Sequence, residues 1–211
     1  ISSVLNRPAP PDALFLGEPE DSSVRASAAY LDQVATGAIR VADSTDPAWV
    51  HVWVRAVSGC YSALWQLAHG QTGGARQVLR YITIEMPALR GPRLPVRASV
   101  CAGLITALLA EREGGDVHAA VLQLDSIARP WPYEAGFFST AGRSIVLAGL
   151  LARYGEPVRA LSTLRRGCPW EPWRAGVDGG LIVYCLRLEG RLAALTGDRA
   201  GAVRAYEHYL A

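Results

Sequence analysis

Three observations predict an all-α protein. Half of the residues are hydrophobic but only 8% are aromatic, and Leu and Ala outnumber the β-branched types, a balance that favours helices. Apolar residues recur at spacings of three and four through most of the chain, the repeat of one helix face. Glycines that mark turns, Gly73, Gly115, Gly155 and Gly197, lie 42, 40 and 42 residues apart. Five residues beyond each stands Val78, Ala120, Ala160 or Ala202, and nine beyond stands Ile82, Leu124, Leu164 or Tyr206. Such a register reads as four helical hairpins, stacked as a solenoid behind one leading helix.

In chain order, residues 1–22 hold Pro8, Pro10, Pro11 and Pro19 with Glu18, Glu20 and Asp21, the composition of an extended arm or linker. Its Leu14-Phe15-Leu16 cluster offers an anchor for a surface groove. The helical domain is expected over 23–211. Ser22 or Ser23 caps a helix reaching to about Asp43. Asp46-Pro47 opens a second helix to about His69, with Trp49, Val52, Trp53, Ala56, Val57, Cys60, Leu64 and Leu67 on its apolar stripe. After Gly73-Gly74 the return helix spans Ala75 to about Met86. Beyond Pro87, Gly91 and Pro92, a helix from about Pro95 to Glu113 turns at Gly115-Asp116 into another ending at Ala128. Pro130 and Pro132 close that unit. Ala135 to Tyr154 is the next helix, ended by Gly155-Glu156, and Pro157 starts its partner where a missing N–H does no harm. That partner runs to about Arg166, and a loop rich in Pro, Trp and Gly leads to the final pair.

The final pair is the most informative. Leu181, Tyr184, Cys185, Leu188, Leu192 and Leu195 form one helix face. Gly197 adopts the left-handed conformation that ends a helix at low cost, and Asp198 caps the next by accepting backbone N–H bonds. Ala202, Val203, Tyr206 and Leu210 form the returning face. Helices joined this tightly need small residues at Gly190 and Ala202, with the Tyr206 ring filling the remaining gap. On Gly190, Gly197-Asp198, Ala202 and Tyr206 this unit resembles a tetratricopeptide (TPR) repeat. Leu186 stands where that family often has Trp, and Tyr209 where it usually has Ala. The resemblance covers about residues 47–211 and implies a right-handed α-solenoid of about four hairpins. The period of 40–42 exceeds the roughly 34 residues of an ordinary TPR, the excess falling in the proline-rich connections. The ending also resembles helical-repeat regions attached to bacterial transcriptional activators and serine/threonine kinases. Ile1 at the start and a helical pattern running to Ala211 suit a piece of a longer polypeptide.

Composition excludes several functions. The net charge of +2 is small and scattered, which argues against nucleic acid as partner. All 21 basic residues are Arg, so neither a Schiff-base lysine nor a Walker-type phosphate loop exists. With a single Asn and a single Met, the usage fits a GC-rich bacterial genome. The longest apolar run, Ala98 to Ala110, is too short to cross a membrane. Cys60, Cys101, Cys168 and Cys185 have no metal-ligand spacing, and three of them sit in apolar helical patterns as small core residues. They are expected to be unpaired structural thiols, which places the protein in the reducing cytoplasm. His51, His69, His118 and His208 show no metal or nucleophile pattern, so no cofactor, metal site or catalytic residue is expected.

The resemblance implies a non-catalytic protein–protein interaction or regulatory module of a larger bacterial signalling protein. In TPR folds the first helices of successive hairpins line a concave groove, which places Tyr184, Arg187 and Arg191 there. The equivalent positions of the preceding hairpins are Ile145 and Gly149, then Ile105 and Leu109. This groove grades from an apolar floor to a cationic end, fitted to a partner segment with acidic and apolar residues. The alternative is a sensor binding a small molecule or short peptide in the same groove. Two further interface candidates are Trp131 and Tyr133 in one proline loop and Trp170 and Trp173 in another, since Trp and Tyr concentrate at interface hot spots.

Overall fold

The computed structural model describes residues 22–40, 47–86, 94–128, 140–168 and 175–210. The arm, the Leu14-Phe15-Leu16 cluster and most of the proline-rich connections lie outside them. All secondary structure among the described residues is helical. The helices are α1 (Ser22–Thr36), α2 (Ala48–Ala68), α3 (Gly73–Arg80), α4 (Leu94–Glu113), α5 (Val117–Ala128), α6 (Thr140–Arg153), α7 (Pro157–Gly167), α8 (Ala175–Leu195) and α9 (Arg199–Leu210), with a π-helical turn, Tyr81–Glu85, continuing α3. None is long and apolar enough to cross a membrane. The fold is therefore all-α, as the composition predicts.

Helix ends follow local chemistry. Gly70, Gly114, Gly155 and Gly197 all have φ between 72° and 81°, the left-handed region where only glycine escapes a Cβ penalty. At each, the next residue donates its N–H to a carbonyl five positions back: Gln71 to Gln66, Gly115 to Ala110, Glu156 to Leu151 and Asp198 to Ala193, at 2.8–2.9 Å. Among the described residues four turns thus share this geometry, with the register adjusted in two. In the first the left-handed residue is Gly70 and not Gly73, and in the second it is Gly114 and not Gly115. The glycine that ends a helix is the one directly after its last turn. Gly37, also at positive φ, stops α1 at Thr36, short of the expected Asp43. At the other end of two turns, Asp116 and Asp198 accept the N–H of Ala119 and Gly201, both at 2.9 Å, and cap α5 and α9.

The chain divides into two compact units, 1–120 and 121–211, the boundary falling within α5. In the first, α2 packs against α1, α3 and α4. Val34, Val50 and Val54 form a cluster with Tyr30, Ile39 and Trp53 against it, and Cys60, Leu64 and Leu67 carry the buried stripe along α2. A polar bridge ties α1 to α2: Ser62 Oγ and Gln66 Nε2 donate to Asp32 Oδ1 at 2.9 and 3.0 Å. Arg55 donates to the Ala35 carbonyl at 2.6 Å and stacks over Tyr81, 4.3 Å from the ring centroid. Burial raises the pKa of Tyr81, with Arg55 opposing. In the second unit α6 pairs with α7 and α8 with α9, while α8 also packs on both α6 and α7. Its core includes Leu150, Leu164 and Leu192. Between α5 and α6, burial lowers the pKa of the Arg143 guanidinium and the charge of Asp125 raises it.

Within each unit, further helix pairs are held by matching devices. Arg76 on α3 pairs with Glu113 on α4 at 2.8 Å, and Arg165 on α7 pairs with Glu189 on α8 at 2.7 Å. Cys60 on α2 is bridged to Cys101 on α4, and Cys168 after α7 to Cys185 on α8. The expectation of unpaired thiols is thereby corrected, since no cysteine is free. Helix packing brings each pair to a Cα–Cα distance of 6.1 Å, within the range a disulfide spans.

The predicted closeness of the last hairpin is visible at Gly190. A Cβ there would lie 2.7 Å from the Tyr206 ring, so the ring occupies the space that glycine leaves open. Gly190→Ala sets a helix-propensity gain of about 1 kcal/mol against that clash. Leu gains nearly as much propensity but must displace the ring much further, so Gly190→Leu is expected to cost about 1–3 kcal/mol. In chemical denaturation, adding Tyr206→Ala should recover part of the loss, and additive losses would refute the contact.

Candidate functional site

Helix α8 exposes one continuous mixed face. Val183, Arg187, Arg191 and Leu195 follow one another at intervals of four, and all are exposed. At that spacing the side chains lie nearly above one another. Tyr184 is half-buried beside them, its ring centroid 5.5 Å from the Arg187 guanidinium carbon. That cation–π contact orients the guanidinium. The opposite face, with Leu181, Cys185, Leu192 and Ala193, is buried, and it fixes the helix on which the arginines stand.

The acid closest in sequence is committed elsewhere. Glu189 accepts from Arg165 Nε at 2.7 Å, and the same guanidinium reaches Asp198 at 2.8 Å. Arg165 thus bridges α7, α8 and the α8–α9 turn. A Cβ on Gly201 would collide with both the Asp198 carboxylate and the Arg165 guanidinium, so glycine is what permits this junction. The hydrogen bond from Arg165, aided by the Gly201 N–H, holds the Asp198 carboxyl below its ordinary 3.8. A carboxylate whose folded pKa is depressed stabilises the fold above its unfolded pKa, and the benefit disappears as pH falls through the folded value. Melting temperature should therefore drop between pH 5 and about pH 3 by more in the wild type than in Asp198→Asn. Parallel pH profiles would contradict this role.

Tyr184, Arg187 and Arg191 share a helix face with surface access, and Gly149 on α6 is half-buried. Ile105, Leu109 and Ile145 are buried core residues and present no surface on which a partner could lie. Their placement on a groove floor is corrected: α4 and α6 are each flanked by further helices, and apolar side chains on such helices move inward. Val183 and Leu195, absent from the predicted site, supply its apolar part. The four-residue spacing around Arg187 and Arg191 could have revealed them. Trp131, Tyr133, Trp170 and Trp173 lie outside the described residues.

Among the described residues no group of three or more His, Cys, Asp or Glu could hold a metal ion. Comparison with protein-family models, curated proteins and solved structures finds no match to the chain.

Proposed function

We propose that this protein is a non-catalytic interaction module, a right-handed solenoid of TPR-like hairpins that docks an acidic, partly apolar segment of a protein partner on α8. The observation that carries the reading is the exposed run Val183, Arg187, Arg191, Leu195, two guanidinium groups between two aliphatic side chains. Guanidinium groups grip carboxylates through paired hydrogen bonds, and the adjoining aliphatic surface shields that contact from water. Contacts between first helices, α2 with α4 and α6 with α8, support stacked hairpins. The likeness of the ending to repeat regions of bacterial activators and kinases supports a regulatory setting in a larger signalling protein. A cytoplasmic setting was inferred from unpaired thiols. With all four cysteines bridged that inference loses its premise, because cytosolic disulfides in ordinary proteins are mostly transient and redox-sensing.

The test uses a helical peptide selected from a displayed library of sequences with Leu or Ile at helical spacing and Asp or Glu at one end. Arg187→Ala with Arg191→Ala should weaken its binding by roughly 10- to 100-fold, the worth of one or two charge-assisted hydrogen bonds. The variant should also bind with a shallower salt dependence than the wild type. Unchanged affinity and salt dependence, with the helical content intact, would reject α8 as the docking face.

A further inference from the structure

The two disulfides differ in what surrounds them. Cys60 and Cys101 are 1% and 2% exposed and join α2 to α4 inside the first unit. Cys168 is half-buried just past the C-terminus of α7, and its partner Cys185, itself buried, lies in α8 directly after Tyr184 and two residues before Arg187. The second bridge therefore ties the docking helix to α7 at its arginine-bearing middle. The 17-residue separation it closes contains the Pro169-Trp170-Glu171-Pro172-Trp173 stretch and the first turns of α8.

We propose that Cys168–Cys185 is a thiol-exchangeable staple that regulates the α8 face, while Cys60–Cys101 is a permanent structural bridge. The role given to the α8 face rests on the docking function proposed above; the exchange chemistry does not. A thiolate of a dithiol reductant attacks the sulfur of Cys168, forming a mixed disulfide and expelling Cys185 as a thiolate, which takes up a proton. The reductant's second thiol then breaks the mixed disulfide, releasing Cys168 as a thiol and leaving the reductant as its cyclic disulfide. Two electrons pass from the dithiol to the protein disulfide, and each sulfur ends with one proton. Attack requires access to sulfur. Half-buried Cys168 meets that requirement in the folded protein, with buried Cys185 as the leaving group, whereas both sulfurs of Cys60–Cys101 must wait for the unit to open. Once released, α8 keeps its ion pair from Glu189 to Arg165, one turn beyond Cys185, but loses its covalent tether on the N-terminal side. Residues 175–187 are consequently the part that loosens.

The experiment titrates the intact chain with dithiothreitol, labels free thiols with iodoacetamide, and reads labelling and amide hydrogen exchange by mass spectrometry. Cys168 should label at least about tenfold faster than Cys60 and Cys101, which need prior opening of the unit, and Cys185 should follow as 175–187 loosens. Exchange across 175–187 should accelerate about tenfold or more on reduction, with 199–210 unchanged. Cys168→Ser with Cys185→Ser should reproduce that pattern without reductant. Equal labelling rates for Cys168 and for Cys60 and Cys101, or an unchanged α8 exchange in either the reduced protein or the double variant, would overturn the proposal. The selected acidic peptide should bind the oxidised protein about fivefold more tightly than the reduced one, since a pre-ordered helix pays less on binding. A peptide that binds both forms equally overturns the regulatory role. A peptide that binds neither form overturns the docking face, and labelling and exchange then still decide whether the staple itself exists.

Discussion

Replacing both Cys60 and Cys101 by Ala should lower the stability of the first unit by about 4 kcal/mol, the loop-closure entropy restored to the unfolded chain at this separation. The residues are 41 apart, and the cost grows only logarithmically with that number. Ala at each site leaves little empty space, because cysteine is small, so the cavity contribution is minor beside the entropic one. Denaturant unfolding of the oxidised wild type and the double variant measures the difference directly. A loss below about 1 kcal/mol would mean that the bridge closes no real loop in the denatured ensemble. The opposite sign, a more stable variant, would mean that the bridge distorts the packing of α2 on α4.

The second large effect separates fold from function on a single helix. Leu192 is 1% exposed and Leu195 is 70% exposed, three residues further along α8. Leu192→Ala should cost about 2–5 kcal/mol, the transfer term plus the cavity left between α8 and its neighbours. Leu195→Ala should change stability by no more than about 0.5 kcal/mol, yet weaken the selected peptide several-fold. Should Leu195→Ala destabilise as strongly as Leu192→Ala, the face assigned to docking would belong to the core. Should it leave both properties unaltered, the apolar half of the proposed surface would have no role.

How much of this was legible in the sequence depends on how local the responsible forces are. The helices were readable because their spacing records which face is buried, and the capping role of Asp198 and the place of Pro157 in the first turn of α7 needed only neighbouring residues. Turn glycines were readable in kind but not always in position. Gly70 and Gly73 stand close together, as do Gly114 and Gly115, and only the last helical hydrogen bonds decide which takes positive φ. The start of α8 at Ala175 was missed because Gly176, Gly179 and Gly180 read as loop. Pairing of the cysteines was illegible for another reason. Separations of 41 and 17 residues carry no motif, and the partners meet only after hairpins pack. Burial of Ile105, Leu109 and Ile145 depended likewise on which neighbours flank α4 and α6. Arg187 and Arg191 were recognisable from their spacing of four, but their meaning came from Val183 and Leu195 remaining exposed around them.

The measurement that bears most directly on the docking function is amide hydrogen exchange of the oxidised protein with and without the selected acidic amphipathic peptide. Protection should concentrate on 183–195, with Arg187→Ala plus Arg191→Ala abolishing it at the same peptide concentration. Protection confined to α1–α4, or protection of α8 that persists in the double variant, would contradict the assignment of the docking face to α8.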